Sequence, residues 1–158
     1  MKKLILIFSI IFTSSINAQT FPDVSSMYFK LRENDKDLSE VNRQLVMDGR
    51  NPSELITGVK DAVDMPNDYL VDMNMHIKYF KHASKSNCTE VMAMAYLQHK
   101  SVRKNFLIDA PINANLIRNL FVKKASPSER VLFLQTARTI DEIVNEMKKS
   151  KYGMITNE

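Results

Sequence analysis

The segment Met73-Asn74-Met75-His76 contains the residues with the most distinctive chemistry in this sequence. Thioether sulfur and imidazole nitrogen are soft ligands that suit Cu(I). Met73 and His76 are three residues apart, so on a helix they are neighbours and could share one ion. The same spacing also fits the buried side of a helix, where Met fills gaps in the core. A copper site made by Met73, Met75 and His76 is therefore an alternative to ordinary core packing.

Cys88 is the single cysteine and the one candidate nucleophile. A thiol at the N-terminus of a helix is more reactive than a free thiol, and His76, His82 or His99 could approach it in the fold. A catalytic pair needs an orienting group, and no motif supplies one. The alternatives are a thiol without a role and an intermolecular disulfide through Cys88 that would form a homodimer.

The known catalytic motifs are missing from the sequence. It contains no H-E-x-x-H, no G-x-S-x-G, no P-loop and no G-x-G-x-x-G. Glu54 and Glu129 stand at helix starts, where a carboxylate reaches back to the cap, so both have a structural role. We expect no enzyme activity, no catalytic residue and no cofactor.

Basic residues cluster at His99, Lys100, Arg103 and Lys104. Such clusters are usually solvated faces. Their functional alternative is a positive patch that meets an acidic partner or the anionic surface of a membrane.

The first 18 residues have the three-part pattern of a secretory signal peptide. Lys2 and Lys3 precede an apolar run, Leu4 to Phe12, that is too short to span a bilayer, and Ala18 is the small residue at the cleavage site. We predict cleavage after Ala18, a periplasmic or secreted product, and no stable membrane insertion afterwards. Without the two lysines the excess of basic residues is small, so we expect no nucleic-acid partner.

Residues 19–158 have apolar residues at helical spacing nearly throughout, and no alternating strand pattern. Gly49 and Pro66 are expected to end helices, and Asp109-Ala110-Pro111 to begin one. Asn51-Pro52-Ser53-Glu54 and Ser126-Pro127-Ser128-Glu129 predict two further starts with capping boxes. The pattern predicts an all-α fold: a compact, single-domain bundle of six or seven short helices after the signal peptide, with loose ends at residues 19–23 and 152–158.

The helix predicted after Pro111 has its own apolar pattern. The set follows helical spacing, and we expect it to face the core: Ile112, Leu116, Ile117, Leu120 and Phe121.

Two stretches resemble the Rap/Tai group of periplasmic immunity proteins. Gly58-Val59-Lys60-Asp61-Ala62 is similar to the helical G-V-x-D-A of that family. Leu70-Val71-Asp72, followed by Tyr79-Phe80 and His82, is similar to its L-V-D and Y-L-x-x-H-P, although His82 stands one position early and Ala83 replaces the proline. The resemblance implies protection from peptidoglycan amidases that type VI secretion delivers. Members usually carry paired cysteines, whereas this chain has one.

These observations favour an exported helical protein that binds and blocks a protein partner. The resemblance implies that the partner is a cell-wall-degrading effector and that the chain is its immunity protein. A periplasmic copper-binding protein and a chaperone-like binding module in the periplasm are the alternatives.

Overall fold

The structure, a computed structural model, describes residues 21–150. The predicted signal peptide and the C-terminal residues 151–158 lie outside the described residues. Four α-helices fill the described range, and they are listed here in chain order: α1 Val24–Met47, α2 Glu54–Lys85, α3 Thr89–Leu116 and α4 Pro127–Lys149. A π-helical turn, Ile117–Phe121, continues α3. Residues 21–150 contain no strand, which confirms the all-α class.

The helices form an up-down-up-down bundle. Each packs against its neighbours in the chain, and α4 closes the ring against α1. Ser25 contacts Asn74 and Ser39 contacts Lys60, so α1 and α2 run antiparallel. None of the helices in the described range combines the length and the apolar character that crossing a bilayer requires. The centre is filled by large side chains with no exposed surface, among them Leu31, Leu38, Ile56, Leu70, Phe106, Phe133 and Ile140.

The prediction of six or seven short helices is wrong, because two expected breaks lie inside long helices. Pro66 is buried within α2, and Pro111 lies within α3. Each proline removes one backbone hydrogen bond. The turns on both sides are held instead by burial of their apolar sides, as with Val63 and Leu70 around Pro66. Tertiary packing therefore outweighs the local tendency of proline to end a helix.

Asp109, the expected cap before Pro111, has a different partner. Its Oδ2 accepts a hydrogen bond of 2.6 Å from the Tyr69 hydroxyl, across the contact between α2 and α3. This hydrogen bond is the main cause of the raised pKa of Tyr69. Asp109 therefore joins two helices and starts none.

The helix end predicted at Gly49 and the helix start predicted at Ser126 are confirmed. Gly49 follows α1 with φ of 72°, and the Arg50 N–H donates to Leu45 O over 2.9 Å, as in a Schellman motif. Ser126 forms the expected capping box with Glu129 at the start of α4. The cap of α2 is Ser53, two residues later than the expected Asn51.

Glu129 also ties together the N-termini of two helices. Its Oε1 accepts from the Ser53 Oγ at 2.5 Å, and its Oε2 accepts from the Ser126 Oγ at 2.7 Å. Burial raises the pKa of Glu129, but the hydrogen bonds from these two serines outweigh it, and the pKa is lowered overall. The carboxylate is therefore ionised at neutral pH, where it also favours both helix dipoles.

Gly58 gives α2 room for the π-helical turn. A Cβ on residue 58 would lie 2.5 Å from Cε1 of the Phe121 ring. In an ordinary helix, Gly→Ala stabilises by about 1 kcal/mol. At position 58 this stabilisation is opposed by the cost of displacing the half-buried Phe121 ring.

We predict that Gly58→Ala lowers the free energy of unfolding of the native chain by about 1 kcal/mol. In a chain that already carries Phe121→Ala, the same substitution should raise the free energy of unfolding by about 1 kcal/mol relative to Phe121→Ala alone. Urea unfolding followed by far-UV circular dichroism measures both values. Equal effects in the two backgrounds would show that the ring does not oppose a side chain at position 58.

Candidate functional site

Helix α3 has two apolar sides. One side is fully buried against α2 and α4, and it includes Met92, Ala95, Phe106, Ala110 and Ala114. At 100° per residue, a second set of large apolar residues lies about 180° away around the helix. This set, which we name the outer row, consists of Met94, Leu97, Ile108 and Ile112, all of which are exposed. Between Leu97 and Ile108 the same side carries the exposed polar residues Ser101, Lys104 and Asn105, so the outer row has an apolar pair toward each end of the helix.

The outer row is long and directed to solvent. Met94 and Ile112 are five turns apart and point the same way, so the row extends for about 27 Å. Leu97 and Ile112 are each 62% exposed. Leu97, Leu107 and Ile108 also line a groove of about 580 Å³ along α3. Large exposed apolar residues grouped on one side of a helix are typical of an interaction site.

The charges beside the outer row are positive. Lys100 and Lys104 line the same groove, and neither forms an ion pair with another residue in the range 21–150. Between Met94 and Ile112 the one carboxylate of α3 is Asp109, and the Tyr69 hydroxyl engages it. The surface is therefore apolar with a basic edge.

Arg103 fixes the position of this surface relative to α4. Its Nη2 donates to the carbonyl oxygen of Met147 at 2.6 Å and to that of Ser150 at 3.4 Å. These carbonyls belong to the C-terminal end of α4, where the helix dipole favours a cation. Arg103 thus has a structural role, while Lys100 and Lys104 provide the free charge.

A second groove lies between α1 and α4 on another side of the bundle. We name it the acidic groove. Its volume is about 360 Å³, and it is lined by Asp37, Glu40, Val41, Ser128, Glu129, Val131, Leu132 and Gln135. Hydrogen bonds from Arg43 and Gln44 lower the pKa of Glu40 to about 2, so Glu40 is ionised like Glu129. Glu40 is paired with Arg43, so Asp37 supplies the unpaired negative charge at this groove.

The expected core residues after Pro111 are only partly in the core. Ile117 is fully buried, but Ile112, Leu116 and Leu120 are exposed. The prediction is wrong for these three because α3 is apolar on two sides, and hydrophobic spacing alone does not select the side that meets its neighbours. Apolar residues that recur on a second side of α3, at Met94, Leu97, Ile108 and Ile112, are the sequence signal that could have indicated the outer row.

The structure does not bring the three copper candidates together. Met73 is fully buried in the core, whereas Met75 is 41% exposed. Residues two positions apart in a helix are separated by about 200° around its axis, so the sulfur atoms of Met73 and Met75 point in nearly opposite directions. His76 is half-buried, and its Nδ1 has no hydrogen-bond partner in the described range. Within residues 21–150, no three His, Cys, Asp or Glu side chains are grouped to hold a metal ion. Copper binding stays a prediction from sequence.

Cys88 is exposed at the N-cap of α3, and no side-chain hydrogen bond caps the helix there. Its exposure is compatible with a disulfide to a second copy, which stays a prediction.

The stretches that carry the family resemblance lie on α2 and mostly build the core. Val59, Ala62, Leu70 and Phe80 are buried. Lys60 lies 3.7 Å from the Asp35 carboxylate and donates to Ser39. Exposed residues of the resemblance include Tyr79 and His82. The resemblance therefore concerns the scaffold more than the outer row.

His99 does not belong to a solvated basic face. It has no exposed surface, and its ring meets the Phe21 ring edge-on, with centroids 5.0 Å apart. Phe21 also packs edge-on against Phe80, so this part of the expected loose N-terminal end is in contact with the bundle. Burial, together with the nearby positive charges of His76 and Arg103, lowers the pKa of His99 to about 4.

Comparison with known proteins gives no relative: no family model, no curated protein and no solved structure matches the chain.

The buried His99 predicts a loss of stability in acid. The unfolded chain binds a proton near pH 6.5, whereas the folded chain does so only near pH 4. Stability is therefore complete above pH 6.5 and falls as the pH drops toward 4. We expect a loss of about 2.5 kcal/mol between pH 7.5 and 4.5 from this group.

Urea unfolding at a series of pH values, for the native chain and for His99→Leu, measures this contribution. The variant should lack that part of the acid loss, whatever its stability at neutral pH. Parallel pH profiles for the two proteins would contradict the assignment to His99.

Proposed function

We propose that this chain is an exported protein-binding module that uses the outer row of α3 to cover a partner protein. The observation that carries the proposal is the second apolar side of α3, which no helix of the bundle covers. Exposure of four large apolar residues costs solubility and adds nothing to the core, so its benefit lies in contact with another molecule.

The charges indicate the chemistry of the partner surface. An apolar row with Lys100 and Lys104 beside it is complementary to an apolar cleft that carries carboxylates at its edge. The lysines would steer the encounter, and Leu97 and Ile108 would supply the buried contact. This is the arrangement expected of a protein interface, whose centre is apolar and whose rim is polar.

The proposed activity is steric inhibition. A rigid helix that fills the partner's cleft over about 27 Å excludes substrate without any chemical step. The resemblance to the Rap/Tai group supports an immunity protein of this kind, with a cell-wall-degrading effector of type VI secretion as the blocked enzyme. The predicted signal peptide would bring the inhibitor to the periplasm, where the cell wall is exposed to such an enzyme.

Capture from the native periplasm tests the proposal. A chain tagged at Glu158 should retain one stoichiometric protein, and adding the chain should abolish the peptidoglycan hydrolysis of that protein. We expect Leu97→Asp and Ile108→Asp each to weaken binding at least about tenfold, because each buries an unpaired charge at the interface.

Phe29→Asp is the matched control, since Phe29 is similarly exposed, at 65%, but lies on α1. It should leave capture and inhibition unchanged. Equal capture by the native chain and both α3 variants would place the binding surface elsewhere. A captured hydrolase that keeps its activity would contradict inhibition.

A further inference from the structure

The outer row and the acidic groove have complementary properties, although they belong to the same chain. Each has exposed apolar residues with unpaired charge beside them, and the charges have opposite sign: Lys100 and Lys104 beside the outer row, and Asp37 beside the groove, where Glu40 is already paired with Arg43. We propose that the outer row of one copy docks into the acidic groove of a second copy, and that this head-to-tail contact covers the outer row in the absence of a partner.

Both surfaces offer exposed apolar side chains. Leu97 and Ile108 project from a single helix. Val41 and Leu132 line the groove between two helices, and Val131 stands at its edge with 68% of its surface exposed. Side chains of one helix that enter the groove between others are the general manner in which helices pack.

Charge supports the same pairing. Asp37 and Lys104 are both exposed, and neither forms an ion pair with another described residue. Each is thus free to pair across an interface. Contact between two outer rows, by contrast, would bring Lys100 and Lys104 of both copies together, and like charges oppose such a symmetric dimer.

The position of the two surfaces in the bundle excludes docking within one copy. The acidic groove lies between α1 and α4, whereas the outer row is on the side of α3 that faces away from α2 and α4. Because α1 and α3 occupy diagonal positions, the two surfaces point away from each other. A contact between unlike surfaces leaves one of each free at the ends, so it continues from copy to copy or closes into a ring.

Sedimentation equilibrium of the purified exported chain tests the proposal without any partner. The average mass should rise with protein concentration to more than two copies, and raising the salt concentration should weaken association several-fold. Leu97→Asp, which disables the outer row, and Val131→Lys, which disables the groove, should each reduce association at least about tenfold. Phe29→Asp should associate like the native chain.

The decisive experiment mixes the two disabled variants. Leu97→Asp keeps an intact groove and Val131→Lys keeps an intact outer row, so an equimolar mixture should form one-to-one dimers and stop there. Circular dichroism verifies that both variants are folded, as expected for substitutions at exposed positions. A native chain that stays monomeric, a Val131→Lys variant that still associates, or a mixture that stays monomeric would each overturn the proposal.

This inference uses the same outer row as the proposed function but does not depend on it. Capture of a partner by a chain that never self-associates would overturn the inference and leave the proposed function standing. Self-association of a chain that captures no target would support the inference and contradict the proposed function.

Discussion

The position of α3 in the bundle determines what this protein can present to other molecules. Four antiparallel helices in a ring give each helix two neighbours and one side toward solvent. All four helices place charged and polar residues on that side, as expected of amphipathic helices. α3 also has large apolar residues outside the core, and α2 has an exposed set at Met65, Met75 and Tyr79. In α3 the neighbouring helices cover one apolar side, and the other side stays exposed to solvent.

The polar contacts between helices keep that surface in a fixed place. Tyr69 joins α2 to α3 through Asp109, and Arg103 joins α3 to the carbonyl end of α4. Arg118 ties the π-helical turn to α4 through the Ala137 carbonyl oxygen and the Asp141 carboxylate. Each link uses a charged group, and such hydrogen bonds are stronger than neutral ones. A rigid helix loses little conformational entropy on binding, which favours a role in recognition.

The two ends of the bundle are held by different kinds of contact. At one end, the Glu129 carboxylate is shared between Ser53 and Ser126 and stabilises two helix starts. At the other, Phe21, Phe80, Tyr96 and His99 form an aromatic cluster. His99 is held neutral within it by burial, so this end is expected to be the less stable one in acid. The acidic groove begins at the Glu129 end of the bundle, whereas the outer row runs along the side of α3.

Local sequence determined the helical class and several helix ends. Apolar residues at helical spacing indicate helices wherever they occur, and Gly49 and the Ser126 capping box act through backbone conformation and hydrogen bonds within a few residues. Those signals need no knowledge of distant neighbours. The buried side of α2 was also predictable from the spacing of Leu70, Met73, Ile77 and Phe80, although Met75 and Tyr79 are exposed on the opposite side.

Tertiary structure alone decided the number of helices and the location of the candidate site. Pro66 and Pro111 favour breaks locally, but packing on both sides of each proline stabilises a continuous helix. Ile112 and Ile117 look equivalent in the sequence, yet one is exposed and the other buried, because only the arrangement of α2 and α4 around α3 selects the side that is covered. The sequence by itself therefore determined that α3 has large apolar residues at many positions, and the bundle decided which of them remain available for another molecule.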